Sequence, residues 1–266
     1  MLGRVITITS GKGGVGKTTV TANLAVALAL QGQHVTAIDS DIGLRNLDIV
    51  MGLEDRIIYD IVDVVEGRCH LSQALIRDKR LSSLHLLPAS QTRDKTALAT
   101  EDMIAICQEL KAQNDFVLVD SPAGIELGFQ NALAGADEMV IVTTPEVSAV
   151  RSADRIIGLV EAGGKAPGRL IINRIKPGMV RRGDMLDTFD VIEFLAIDLL
   201  GVVPEDEAIL VATNNGTPLA FEQSTPASQA FHNIGHRLLG EDVPFMPIFE
   251  EADSLVNRLR RILGLK

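Results

Sequence analysis

A glycine-rich stretch near the N-terminus, Thr9–Thr19 with the sequence TSGKGGVGKTT, has the residue types needed to bind phosphate groups. It fits the dinucleotide pattern G-x-G-x-x-G and also the triphosphate pattern G-x-x-x-x-G-K-[ST], which ends at Lys17 and Thr18. It also contains Lys12, a lysine that neither pattern requires. The stretch therefore raises two questions, namely which ligand it binds and what the additional lysine does.

Lys17 and Thr18 favour a triphosphate. A pyrophosphate that carries no metal needs neither a lysine nor a metal-binding hydroxyl at this position. Lys17 would reach the β- and γ-phosphate oxygens, and Thr18 would bind Mg²⁺. The backbone N–H groups would surround the phosphates at the positive end of the following helix. The predicted ATP contacts in this loop are Gly11, Lys12, Gly13, Gly14, Val15, Gly16, Lys17, Thr18 and Thr19.

Three aspartates follow apolar runs and are candidates for the metal site and for catalysis. Asp120 ends the run FVLVD and resembles a Walker B acid that acts on Mg²⁺ directly or through water. Asp39 is predicted to bind a water of the metal shell, and Asp41 to orient the attacking water. The segment 41–48 would then sense the γ-phosphate. An alternative is that these aspartates only cap helices or turns. The predicted metal-binding residues are thus Thr18, Asp39 and Asp120, and the catalytic ones Lys12, Lys17 and Asp41.

Short apolar runs alternate with helical patterns along most of the chain, which is typical of a parallel sheet with helices on both faces. The sequence therefore predicts an α/β fold, a doubly wound and mostly parallel sheet of the P-loop NTPase type. The predicted strands are 4–9, 34–39, 84–89, 116–120, 138–144, 169–173 and 199–203, and the predicted helices include 17–31, 101–113, 147–162 and 184–196.

Composition limits the possible functions. The 266 residues have a formal net charge of -10 at pH 7, which disfavours broad attraction to nucleic acid, so no nucleic acid partner is expected. The two cysteines, Cys69 and Cys107, are not spaced as metal ligands and are expected to be reduced thiols. No signal peptide and no apolar run of about 18 residues is present, so we expect a cytoplasmic protein.

The last 13 residues, SLVNRLRRILGLK, differ from the rest of the chain because they are basic and contain no acid. On a helix their apolar side chains share one face and arginines flank it, which indicates a helix lying in an anionic membrane surface. Packing of this helix on the domain is the alternative. We therefore divide the chain into an ATPase domain, 1–247, and a tail, 248–266. The predicted membrane contacts are Leu255, Val256, Arg258, Leu259, Arg260, Arg261, Ile262 and Leu263.

Several segments together resemble the ParA/MinD family of deviant Walker A ATPases. The segment KGGVGKTT carries the early lysine of that family, and DSDIGLRNLDIVMG, LLPASQTRDK, DSPAGIE, TTPEVSAVRSADRIIG, RGDML and GVVPED extend the resemblance over nearly the whole chain. The resemblance implies a homodimer that forms face to face around two ATP molecules. It also implies that Lys12 crosses to the partner's phosphates, and that Glu146 contacts the partner's nucleotide.

The resemblance implies an adenine site as well, between two strand ends. The amide of Asn173 can match the N6/N7 edge of adenine, and Arg174 can stack on the ring. The facing segment contributes Pro204, Glu205 and Asp206, through side chains or backbone alone.

The later segments resemble the branch of the family that positions the division septum. That branch implies a switch in which ATP drives dimerisation and membrane attachment, on the inner face of the cell membrane or its plastid equivalent, and hydrolysis reverses both. The implied partners are a MinC-like division inhibitor and a MinE-like activator, with Arg45, Asn46, Arg151 and Asp154 as candidate contacts. A ParA-type DNA-partition ATPase is the alternative function.

Overall fold

An eight-stranded sheet forms the centre of the fold, in the order β3-β4-β2-β5-β1-β6-β7-β8. The structure is a computed structural model that describes residues 3–164 and 168–246. Neighbouring strands pair in parallel except β3, which runs antiparallel to β4. The strands are β1 Arg4–Thr9, β2 Val35–Asp39, β3 Ile76–Arg77, β4 Leu84–Leu87, β5 Phe116–Asp120, β6 Glu138–Thr143, β7 Arg169–Ile175 and β8 Leu199–Pro204.

Helices cover both faces of this sheet. They are α1 Lys17–Leu30, α2 Leu47–Met51, α3 Ile61–Val65, α4 Leu71–Ala74, α5 Thr100–Lys111, α6 Leu127–Ala134, α7 Val147–Ala162, α8 Pro177–Arg182, α9 Thr188–Leu195, α10 Glu207–Asn214 and α11 Pro226–Leu238. Short 3₁₀ turns occupy Glu54–Arg56, Lys95–Ala97 and Leu219–Phe221.

The central strand β5 shows why the runs are apolar throughout. Phe116 and Leu118 pack in the core cluster that includes α1 and α11, whereas Val117 and Val119 pack with α5 on the opposite face. Successive side chains of a strand point to opposite faces, so a strand covered on both sides needs apolar residues at every position. A third core cluster lies between α7, α9 and the strands β6 and β7.

All seven predicted strands are present, and the predicted α/β fold is confirmed. The helix predicted for 147–162 has those bounds, while the one predicted for 184–196 begins only at Thr188. It begins there because the Asp187 carboxylate accepts the N–H of Asp190 and so caps the first turn. The predicted strands omitted β3, which is two residues long, and the helices named as examples did not include α11 or the shorter helices.

The predicted tail helix and all eight of its membrane-contact residues lie outside the described residues. The described chain ends at Met246, which packs against the core. Among the helices that the structure describes, none is long and apolar enough to cross a membrane.

An ion pair between the buried Asp78 and the partly exposed Arg80 stabilises the edge of the sheet next to β3. Asp78 is buried, and Arg80 donates to both of its oxygens, at 3.1 Å from Nε and 2.6 Å from Nη2. The same guanidinium donates to the backbone oxygen of Met51 and lies 4.3 Å from the centre of the Phe221 ring. Burial by itself would raise the pKa of Asp78, but the hydrogen bonds and charge of Arg80 outweigh burial, and the pKa is lowered.

We predict that Arg80→Ala lowers the free energy of unfolding by about 3 kcal/mol, because it leaves a buried carboxylate unpaired. Lys79→Ala removes an exposed neighbouring cation and is the matched control. Urea denaturation measures the difference. A lowered pKa stabilises the fold above the ordinary carboxyl value of 3.8, so the difference should shrink as the pH falls below it. Equal stability of the two variants at pH 7 contradicts the prediction.

Candidate active site

The glycine loop connects β1 to the first turn of α1 and lies at the carboxyl edge of the sheet. Gly14 and Gly16 have φ of 79° and 96°, backbone conformations that favour glycine. A Cβ at Gly16 would also overlap the amide nitrogen of Asn173, while the space around the Cβ position of Gly14 is open. The loop is therefore a cradle of backbone N–H groups with room for an anionic ligand at the helix N-terminus.

The two lysines of the loop have opposite environments. Lys17 is buried, and its Nζ donates to Ser10 Oγ at 3.0 Å. Burial lowers the pKa of Lys17, and the carboxylates of Asp120 and Asp41 oppose that effect. Lys12 is exposed, and its Nζ donates to Glu146 Oε2 at 3.2 Å and to Ser148 Oγ at 3.0 Å. Lys17 thus points into the site of its own chain, whereas Lys12 lies on the surface.

Asp39 and Asp120 end neighbouring strands and are register partners in the sheet. Both are buried, and burial is the main reason why the pKa of Asp39 is raised to about 6 and that of Asp120 to about 7. The nearby carboxylate of Asp39 raises the pKa of Asp120 further, while hydrogen bonds with Thr18 and Thr21 lower it. Two buried carboxyls beside a hydroxyl are a suitable donor set for Mg²⁺.

Asp39 also organises the loop that follows β2. Its Oδ1 accepts the N–H of Asp41, and its Oδ2 accepts those of Asn46 and Leu47, each at 3.0 Å. The carboxylate therefore holds the predicted switch segment closed on the end of its own strand. A role of Asp39 toward a water of the metal shell stays a prediction.

Asp41 is half-buried, and its Oδ1 is buried without a hydrogen-bond partner among the described residues. Burial raises the pKa of Asp41, while the charges of Lys95 and Lys17 lower it. An acceptor oxygen left without a donor inside a site suits a bound water. Sequence reasoning missed Lys95, which lies on the turn Lys95–Ala97, and Thr21, whose hydroxyl lies 3.2 Å from Asp120 Oδ1. Helical spacing from Lys17 could have suggested Thr21, because position i+4 lies on the same face.

The predicted adenine residues lie at the ends of β7 and β8. Asn173 donates Nδ2 to the backbone oxygen of Val15 at 2.8 Å, and its buried Oδ1 has no partner among the described residues. Arg174 has a φ of 59°, and its Nε lies 3.9 Å from Glu205 Oε2. The Asp206 carboxylate caps α10 by accepting the N–H of Ala208, so any contact it makes with a ligand at the same time is limited to its backbone and its second oxygen. A cavity of about 640 Å³ borders this segment between Glu146, Arg174 and Glu205.

The four predicted partner residues fall into two groups. Arg151 and Asp154 are exposed on α7. The side chain of Arg45 is only 16% exposed, with its Nε 2.9 Å from Asp48 Oδ2, and the backbone N–H of Asn46 is bound to Asp39. In this conformation the α7 pair is available to a protein partner, and the Arg45 side chain is turned inward.

The chemistry of the site fits a magnesium-bound nucleoside triphosphate. Open glycine backbone, one buried lysine and the hydroxyl of Thr18 surround the space for phosphates. The carboxyl of Asp120 lies beside that hydroxyl, with Asp39 near it. Two buried acceptor oxygens, on Asp41 and Asn173, have no donor among the described residues.

Comparison with known proteins agrees with this geometry. A family model described as an AAA domain matches residues 3–166, more than half of the chain. The septum site-determining protein MinD of Bacillus subtilis (strain 168) is 51% identical over 267 residues, with both chains covered completely. The chain belongs to the MinD family of septum site-determining proteins. It is thus an ATPase of the P-loop type whose cofactors are ATP and Mg²⁺.

Two solved structures of MinD-family proteins show the same fold. A chain of the MinC:MinD cell division protein complex of Aquifex aeolicus matches with a TM-score of 0.85 and 48% identity, covering 91% of this chain and 98% of that chain. The MinD protein of Pyrococcus horikoshii OT3, complexed with Mg-ADP, matches with a TM-score of 0.80 and 31% identity, covering 88% and 95%.

The raised pKa of Asp120 predicts how the stability of the metal-free protein depends on pH. A carboxyl whose folded pKa is about 7 stabilises the fold while it is protonated, and this contribution is lost as the pH rises through 7. We expect the melting temperature in EDTA to be lower at pH 8 than at pH 5.5. The fall should be about 2–4 °C for each 1 kcal/mol of unfolding free energy that deprotonation removes. Asp120→Asn has no proton to release and should show a shallower fall, and identical slopes would contradict the assignment.

Proposed function

We propose that this chain is a dimerising ATPase that attaches to a membrane when it binds ATP and thereby positions the division septum. The observation that carries the proposal is the position of Lys12. Lys17 already supplies a buried cation inside the loop, and the exposure of the second loop lysine at the carboxyl edge supports a role for it at the phosphates of another subunit.

The carboxyl edge of the sheet also has the surface expected of a homodimer interface. Leu44 after β2, Leu127 at the start of α6 and Val147 at the start of α7 are 62%, 46% and 55% exposed. Three exposed apolar side chains around a nucleotide site favour burial against a second copy of this chain. A face-to-face dimer would then place Lys12 of each subunit near the partner's nucleotide.

The residues of the site have distinct roles in hydrolysis. Water attacks the γ-phosphorus, the bond to the β–γ bridging oxygen breaks, and the products are ADP and phosphate. Asp41 orients this water through its unpaired oxygen, and Lys17 neutralises charge on the β- and γ-phosphate oxygens. Mg²⁺, when bound through Thr18 and Asp120, neutralises phosphate charge. Lys12 of the partner adds a positive charge in the transition state, as an arginine finger does.

Asn173 supports a preference for adenine. The bond from its Nδ2 to the Val15 backbone oxygen orients the amide, and its Oδ1, an acceptor without a partner among the described residues, matches the N6 amino group of adenine. Guanine presents an oxygen at the corresponding position, and two acceptors facing each other would be unfavourable. Arg174 and the backbone of 204–206 complete the proposed pocket.

Membrane attachment rests on the sequence of the tail. A basic amphipathic helix of this length is marginal in water and orders on lipid, so one tail binds weakly. Two tails on one ATP dimer bind together at a high effective concentration. Hydrolysis separates the subunits and returns them to the cytoplasm from the inner face of the membrane.

The proposed protein partners are a division inhibitor and an activator of hydrolysis. The similar Aquifex aeolicus chain comes from a complex with MinC, which supports recruitment of a MinC-like inhibitor by this chain. The exposed residues Arg151 and Asp154 of α7 are the proposed contacts, and a MinE-like activator would dock on the same helix. A DNA-partition function is less well supported, because a net charge of -10 opposes DNA binding.

Mixing two inactive variants tests the action of Lys12 in trans. Lys12→Ala and Asp41→Ala should each have little ATPase activity. In an equimolar mixture half of the dimers are mixed, and one of the two sites in each has its own Asp41 and the partner's Lys12. We expect about one quarter of the wild-type activity to return. No recovery, with mixed dimers detected by native mass spectrometry, would show that Lys12 acts within its own subunit or not at all.

Liposome sedimentation tests the membrane switch. The full chain should pellet with anionic vesicles in ATP and much less in ADP, and a chain ending at Asp253 should not pellet in either. Leu259→Glu should act like the truncation, because it puts a charge on the apolar face, whereas Asn257→Gln is a matched control outside the predicted contacts. Pelleting of the truncated chain contradicts the tail model. If the truncated chain binds DNA in a separate binding assay, the DNA-partition function is favoured instead.

A further inference from the structure

The hydroxyl of Thr21 lies between the first turn of α1 and the carboxyl of Asp120. Thr21 is completely buried, and its Oγ1 lies 3.0 Å from the backbone oxygen of Lys17 and 3.2 Å from Asp120 Oδ1. Asp120 ends β5 and is 99 residues further along the chain. The hydroxyl therefore connects the helix that follows the glycine loop to the strand that carries the predicted Walker B acid.

The single hydrogen of this hydroxyl is donated to only one of the two acceptors at a time. The Lys17 oxygen already accepts a backbone N–H, because Lys17 begins the hydrogen-bond ladder of α1. Asp120 is buried, so its ionised carboxylate depends on donors from the protein. A hydrogen bond to an ionised acceptor is about twice as strong as one to a neutral acceptor. The ionised carboxylate of Asp120 is therefore the preferred acceptor.

We propose that Thr21 is a positioning residue for Mg²⁺, which holds the Asp120 carboxylate by binding Oδ1 and leaves Oδ2 for the metal or a water of its shell. The inference rests on the binding of Mg²⁺ through Thr18 and Asp120 that we propose above. A carboxylate group rotates easily about its last side-chain bond, and a donor at one oxygen limits this rotation. Removing a partner of this kind typically lowers metal affinity by about 10–100-fold.

A purely helical role for this hydroxyl explains less of the structure. A threonine inside a helix often bonds only the carbonyl four residues back, as Thr21 does with Lys17. Such a bond requires no carboxyl nearby, and a valine of nearly the same shape would fill a buried position without a polar atom. The hydroxyl at this buried position instead lies within hydrogen-bond distance of a carboxyl at the active site.

Three variants separate the hydroxyl from the shape of the side chain. Thr21→Val removes the hydroxyl and keeps the branched shape, whereas Thr21→Ser keeps the hydroxyl. Thr36→Val is the matched control, because Thr36 is also buried and its hydroxyl contacts Asn114 Oδ1 near the beginning of β2, away from the site.

The readout is the affinity for ADP, measured by isothermal titration calorimetry once with Mg²⁺ and once with EDTA. The ratio of the two affinities isolates the contribution of the metal, and ADP makes the measurement independent of hydrolysis. A pH of 8.5 keeps Asp120 mostly ionised, since its pKa is raised by burial to about 7.

We expect Thr21→Val to lower this ratio about ten-fold and to leave the ADP affinity in EDTA unchanged. Thr21→Ser and Thr36→Val should keep the ratio of the wild-type chain. Because Thr21 acts through Asp120, adding Thr21→Val to Asp120→Asn should cause no further loss.

The outcomes separate the role of Thr21 from the proposed metal site. A wild-type ratio in Thr21→Val overturns the inference. An equal loss in Thr21→Ser or in Thr36→Val also overturns it, because the loss then does not come from the missing hydroxyl at Asp120. If Asp120→Asn keeps the wild-type ratio, the proposed binding of Mg²⁺ through Asp120 fails, and the inference about Thr21 fails with it.

Discussion

The site depends on two carboxyl groups placed side by side in the interior. Asp39 and Asp120 end adjacent parallel strands in register, and both are buried. Loss of hydration on burial is the main reason why the pKa of each is raised, and the charge of Asp39 raises the pKa of Asp120 further. The arrangement becomes favourable when cations are near, and Lys17 is one of them. Mg²⁺ bound with phosphate would supply the other, so the electrostatics of this carboxyl pair suit the ATPase activity of the family.

The sheet order explains why these groups meet. Strands β2, β5 and β1 are neighbours in space although β5 is far from the other two in sequence. Parallel strands present their carboxyl ends at one edge, where the glycine loop, the loop after β2 and the loop after β5 therefore converge. Asp39 adds a second constraint, since its three backbone hydrogen bonds fix the loop that carries Asp41. A change in charge at Asp39 would thus alter the position of Asp41 and, if Asp39 contacts the metal shell as predicted, the metal site as well.

The sequence predicted the parts of the molecule that follow local rules. The fully apolar strands and the glycine loop have strong periodic or motif signals, and the structure contains them nearly as expected. Contacts made by residues far apart in sequence could not be predicted. The inward turn of Arg45 onto Asp48 and the bond from Asn173 to Val15 depend on how the loops meet. The cap on α9 was readable in principle, because Asp187 and Asp190 have the spacing of a capping box.

Weak contacts recur wherever the proposed cycle must reverse. The pair between Lys12 and Glu146 is exposed, and the tail helix predicted from the sequence is short enough to be marginal in water. Each alone would contribute little, but the proposed dimerisation would double both, since two lysines would cross and two tails would meet one membrane. The free energy of binding two ATP molecules therefore needs to change only several weak contacts, the two lysine contacts and the two tails. A strong lysine contact or a strong tail would fix the protein in one state, so the low strength of each contact would allow hydrolysis to reverse the proposed assembly.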